Sequence, residues 1–95
     1  MKFAVHCLDH KHAQALRLEN YEAHKAYLAK GHIRTVISGP LLATDGESMI
    51  GSLFVFEAET FAEVAEFNAN DPFARAGVWA EVKIHPFSLR VDNRC

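Results

Sequence analysis

An α+β fold of the order β-α-β-β-α-β, with two helices on one face of a four-stranded antiparallel sheet, is predicted by three observations. Strand-like alternation opens and closes the chain, two helical stretches carry their own stop or start signals, and two β-branched runs flank an Asp-Gly turn in the middle. Together they give the ferredoxin-like split βαβ plan.

Met1 to Leu8 alternates, with Phe3, Val5 and Cys7 on one face and Ala4, His6 and Leu8 on the other. After the polar break Asp9-His10-Lys11-His12 comes one long helical stretch, from about His12 to Lys30. Arg17, Asn20, Tyr21, His24, Tyr27, Leu28 and Gly31 recur there at spacings of three and four and so share a stripe. Gly31 is a natural stop. Ile33 to Ile37 reads as a strand closed by Ser38-Gly39-Pro40, and Ile50 to Phe56 as a third strand beyond the turn at Asp45-Gly46. Thr60 and Glu63 have capping-box spacing, and the helix they open stops near Asn70 because Pro72 forbids its continuation. Asn70-Asp71-Pro72-Phe73-Ala74-Arg75-Ala76-Gly77 adds a short helical turn. The last strand runs from Val78 to Ile84 and extends to Phe87.

The 95 residues suit a single domain, 1–95, and the 49% hydrophobic share is that of an ordinary globular chain. With a net charge of −2 and Lys and Arg scattered singly, no nucleic-acid footprint is expected. No apolar run approaches a membrane span, and the first residues lack a signal peptide's plan. Cys7, in a strand, and Cys95, at the end, make no disulfide framework, so the cytoplasm is the expected compartment.

The third strand is apolar on both faces: Gly51, Leu53 and Val55 oppose Ser52, Phe54 and Phe56. A sheet covered by helices on one side needs water or a partner on the other, so a homodimer packed through its sheet faces is expected.

His24 lies on the helical stripe that should face the sheet, two turns after Arg17. It reads either as a half-buried histidine satisfied by a backbone carbonyl or as a general acid/base held in one tautomer by a carboxylate. Asp71 has the same two readings. Aspartate before proline is a good N-cap, and it can also be that carboxylate. His6 could point into the same cleft from the first strand, with Trp79 as a further wall. The His10-Lys11-His12 spacing is a weak metal pattern, and no metal or cofactor is expected. There is no P-loop, dinucleotide fingerprint or metalloprotease motif.

The order of Arg17 and His24, Ser38-Gly39-Pro40, Asn70-Asp71-Pro72-Phe73, Ala76-Gly77-Val78 and Ile84-His85-Pro86-Phe87 resembles the YciI-like (YCII-related) family over essentially the whole chain. The resemblance implies a dimeric α/β barrel built on the ferredoxin-like fold, related in architecture to muconolactone isomerases. It also implies an active-site cleft whose histidine and aspartate are His24 and Asp71. One branch of that family removes chloride from a chlorinated hydroxyhydroquinone. This chain departs from the family at Tyr21, where several members carry a second basic residue.

The expected function is therefore proton-transfer chemistry by a His24–Asp71 pair, of isomerase or lyase type, on a small aromatic or lactone substrate. Arg17, Ser38, Gly39 and His6 are expected to bind that substrate. The alternative is a non-catalytic small-ligand-binding or regulatory module that holds its ligand in the same cleft.

Overall fold

The structure, a computed structural model, describes residues 1–94; the reading of Cys95 lies outside them. Its elements run β1 (Lys2–Asp9), α1 (Gln14–Glu19), α2 (Tyr21–Lys30), β2 (Arg34–Leu42), β3 (Met49–Glu57), α3 (Phe61–Ala69), α4 (Pro72–Arg75) and β4 (Trp79–Phe87). The four strands pair antiparallel in the order β2-β3-β1-β4, the ferredoxin-like arrangement. Alternation along β1 and β3 sends Phe3, Val5, Cys7, Phe54 and Phe56 into a core closed by Val64 and Phe67 of α3. Full burial of each such side chain stabilises the fold by about 1.5–3 kcal/mol.

The local signals act as their chemistry requires. Thr60 Oγ1 accepts the Glu63 N–H at 3.2 Å while Glu63 Oε1 accepts the Thr60 N–H at 3.1 Å, a reciprocal cap. Asp71 caps α4, with Oδ1 accepting the Phe73 N–H at 2.8 Å and Pro72 in the first turn. Gly77 then takes φ +79°, a conformation that costs a residue without Cβ little, and turns the chain into β4.

Two elements differ from the sequence reading. The long first helix is divided at Asn20 (φ −102°, ψ 4°) into α1 and α2. The Asn20 side-chain amide donates to the Leu16 carbonyl at 2.9 Å, the same acceptor its own backbone N–H uses at 3.2 Å. Such local competition is what makes asparagine a poor interior helix residue. The division leaves the stripe intact: Arg17 on α1 and His24 on α2 are both buried against the sheet.

The second strand does not end at Ser38-Gly39-Pro40 but runs through it to Leu42. Proline is tolerated because β2 is an edge strand, and Pro86 lies in β4, the other edge. A bulge at Val36 also interrupts this edge, since Thr35 pairs with Phe56 but Ile37 already pairs with Val55. The extra residue shifts the alternation. Thr35 faces the helices, and after the bulge it is Ser38 and Pro40, opposite Phe54 and Ser52, that face them.

The face away from the helices carries Ile37, Leu53 and Phe87, each about two-fifths exposed or slightly less. The segment after β4 brings Leu89 and Val91 beside Ile37 and Val55 at one end of that face. His6, placed in the cleft by the sequence reading, belongs to this open face. It pairs with Leu53 and Lys83, and the period of two that buries Val5 and Cys7 turns it away from the helices.

Candidate functional site

Between α1, α2 and the β2–β3 half of the sheet lies a cavity of about 330 Å³. Its size suits a single small ring or a short-chain molecule. Each wall has a separate origin.

The helical wall is the polar stripe. His24 is 7% exposed, and its Nδ1 lies 2.9 and 2.8 Å from the two carboxylate oxygens of Asp71, which is itself 1% exposed. Asp71 Oδ1 also accepts the Phe73 N–H, so one carboxylate caps α4 and holds the imidazole together. The ring is further fixed by stacking on Phe73, with centroids 4.0 Å apart and planes 8° from parallel, and by a tilted contact with Phe54. A neutral His24 that donates from Nδ1 to a carboxylate carries its lone pair on Nε2. That atom has no protein partner among the described residues, and the residue borders the cavity. The arrangement can therefore accept a proton from a bound molecule and return it.

Arg17 is 3% exposed and heavily engaged. Nε and Nη2 donate to Asp9 Oδ2 and Oδ1 at 2.9 and 3.0 Å, and Nη2 also donates to Ser52 Oγ at 2.8 Å. Its guanidinium lies 4.8 Å from the Phe73 ring centroid. With both side chains 4% exposed, the Arg17–Asp9 pair is a buried bidentate ion pair whose charges cancel. Arg17 borders the cavity, but as a neutralised wall rather than a free cation.

The sheet wall comes from Ser38, Gly39 and Pro40 of β2 and from Ser52 and Phe54 of β3. A Cβ built on Gly39 would meet nothing within 4 Å, so the space beside it is open. Tyr21 and Lys25 of α2 form the exposed rim, with the Lys25 ammonium 4.7 Å from the Tyr21 ring centroid.

Of the residues expected to share a cleft, Arg17, His24, Ser38 and Gly39 border the cavity directly, and Asp71 stands behind His24. Trp79 lies a layer deeper, edge-on to Phe54 and Phe73. His6 is excluded for the reason of alternation given above.

Asp9, Ser52 and Phe73 were not foreseen. Ser52 left a signal, because it shares a strand face with Phe54 and Phe56, and a hydroxyl on a covered face needs a partner. Cys7 is a core residue, its thiol pushed up to about 12 chiefly by burial, and so is no nucleophile near neutrality. Among the described residues no three acidic, histidine or cysteine side chains gather in a way that could hold a metal ion.

A family model for the YCII-related domain matches residues 1–88. The chain belongs to that family. A solved structure similar to this YCII-related domain is the 5-chloro-2-hydroxyhydroquinone dehydrochlorinase of Burkholderia phenoliruptrix AC1100, in complex with 2,5-dihydroxybenzoquinone. The two are 34% identical over 93% of this chain and 94% of that one, with a TM-score of 0.80. A protein of Arabidopsis thaliana, 15% identical over 95% of this chain and 98% of its own, gives a TM-score of 0.45. A search of curated proteins found no match. The fold of the YCII-related domain is thus the α+β, ferredoxin-like plan shared with dimeric α/β barrels. No helix among its described residues is long and apolar enough to cross a membrane.

Proposed function

We propose that this YCII-related domain is a small-molecule enzyme of lyase type, acting on a hydroxylated six-membered ring with His24 as the base and Asp71 as the group that orients it. The observation that carries this reading is the buried Asp71–His24 pair, which leaves Nε2 as the imidazole's free nitrogen beside a ring-sized cavity. The similarity to a dehydrochlorinase at 34% identity supports the same class of chemistry.

In this reading His24 Nε2 takes the proton of a ring hydroxyl and the O–H bond breaks. The oxygen pair becomes a carbonyl, and the proton held on Nε2 is returned to the ring carbon that bears the leaving group, which becomes tetrahedral. The same nitrogen then takes the proton of a second hydroxyl. A second carbonyl forms, a ring double bond moves to that carbon, and the leaving group, such as chloride, departs with its electron pair. The sum is loss of HX, with no oxidant or reductant. Phe54 and Phe73 border the cavity as apolar wall, while Asp71 stabilises the imidazolium that forms.

The test is chloride release from 5-chloro-2-hydroxyhydroquinone by the purified protein. Release is expected, and His24→Ala should slow it by about 10²- to 10⁴-fold, the usual contribution of a positioned acid/base. Saturable binding of the ring with neither chloride release nor solvent proton exchange would instead establish the non-catalytic ligand-holding reading.

A homodimer through the open sheet face belongs to the same proposal. Ile37, Leu53 and Phe87 are supporting observations, because apolar side chains grouped on one sheet face call for cover. The free, buried thiol of Cys7 fits a reducing cytoplasm. Sedimentation equilibrium at micromolar concentration is expected to give twice the 10.6 kDa chain mass, and a single-chain mass there would remove the dimer.

A further inference from the structure

The walls of the cavity carry three groups able to bear positive charge, and they are not equivalent. Arg17, at the buried end, is matched by Asp9, and His24 is matched by Asp71. Lys25 stands on the exposed rim with a side chain 53% exposed. Its ion pair at 2.9 Å is with Glu22, whose own side chain is 81% exposed. An ion pair so open to water is weakly held and readily exchanged. The Tyr21 ring beneath the ammonium keeps Lys25 folded toward the cavity by a cation–π contact.

We infer that Lys25 is a specificity-determining residue, which leaves Glu22 to hold an ionised oxygen of the ligand at the cavity mouth. The inference rests on the proposed function of the same site and adds to it a charge and an orientation. The preferred ligand is a ring bearing an ionised oxygen. Its anionic edge faces Tyr21 and Lys25, and an un-ionised hydroxyl faces His24. The buried end rejects the anionic edge because Asp71 and Asp9 stand there: the Arg17 cation is already committed to Asp9, and Asp71 faces the neutral imidazole that serves as the base.

The experiment compares two single-ring probes, 4-hydroxybenzoate, which at pH 7 has one ionised edge opposite an un-ionised hydroxyl, and hydroquinone, uncharged at pH 7, by titration calorimetry at low ionic strength. The unsubstituted protein is expected to bind the ionised ring more tightly. Lys25→Met should weaken the ionised ring by about 5-fold, the scale of an exposed ion pair, and leave hydroquinone unchanged. Lys25→Arg should restore most of the preference.

Equal weakening of both probes would show that Lys25 only packs against Tyr21, and no change in either would show that it takes no part; both results overturn the inference. So would an unsubstituted protein that does not favour the ionised ring. These readouts are of binding alone, so an absence of chloride release would count against the proposed function while leaving this result to stand or fall by itself.

Discussion

Asp71→Asn is expected to leave the protein folded and nearly as stable as before, while lowering turnover by about 10²- to 10⁴-fold. Asparagine caps helices about as well as aspartate, and its Oδ1 can still accept the Phe73 N–H. That leaves the side-chain NH₂ turned toward His24 Nδ1. Because an amide donates where a carboxylate accepts, Nδ1 must then become the acceptor, and the ring proton moves to Nε2. The base would be present, in place, and in the wrong tautomer. Nitrogen-15 shifts of the His24 ring, read beside urea unfolding and turnover, separate the two duties of Asp71. An unaltered ring tautomer with full activity would reduce Asp71 to a helix cap. Asp71→Ala, by contrast, removes the partner of two buried donors and should cost about 1–3 kcal/mol.

Phe73→Ala should be the most damaging change to stability among the site residues, costing about 3–5 kcal/mol. The ring is 1% exposed and touches three others that matter: it stacks on His24, meets Trp79 edge-on, and lies beside the Arg17 guanidinium. Truncation empties the space between cavity and core. His24 then loses the surface that sets its plane, and the Arg17–Asp9 pair gains access to water. Against a total stability of about 5–15 kcal/mol for a domain of this kind, that is a large share. A shift of the urea midpoint equivalent to less than about 1 kcal/mol would show that the surroundings collapse onto the gap instead.

Much of the fold was readable because local chemistry and tertiary packing agree. The Thr60–Glu63 capping box, the Asp71-Pro72 helix start and the alternation of Phe3, Val5 and Cys7 each mark their element without ambiguity. The His24–Asp71 contact was foreseeable only as a pair of residue types in suitable places. What joins them is the packing of α2 against α4, which periodicity does not encode.

The misreadings have physical sources too. Asn20 fits the helical stripe by spacing, yet its side chain takes the carbonyl that an uninterrupted helix would keep for the backbone alone. Ser38-Gly39-Pro40 has the composition of a strand terminator, and becomes strand because an edge needs only half its hydrogen bonds. Arg17 advertises a positive charge in sequence, but Asp9, from the polar break after β1, cancels it.

The single extra residue at Val36 gives β2 the character of a frame marker. Upstream of it, the odd position Thr35 looks toward the helices; downstream, the even positions Ser38 and Pro40 do. Changing the length of this edge by one residue thus exchanges the side chains turned toward the helices for those turned toward the outer face. Because β2 has only one neighbour, such a slip disturbs a single ladder of hydrogen bonds. An insertion or deletion in this one border strand would therefore redraw the sheet wall of the cavity and leave the imidazole, its carboxylate and the central strands untouched.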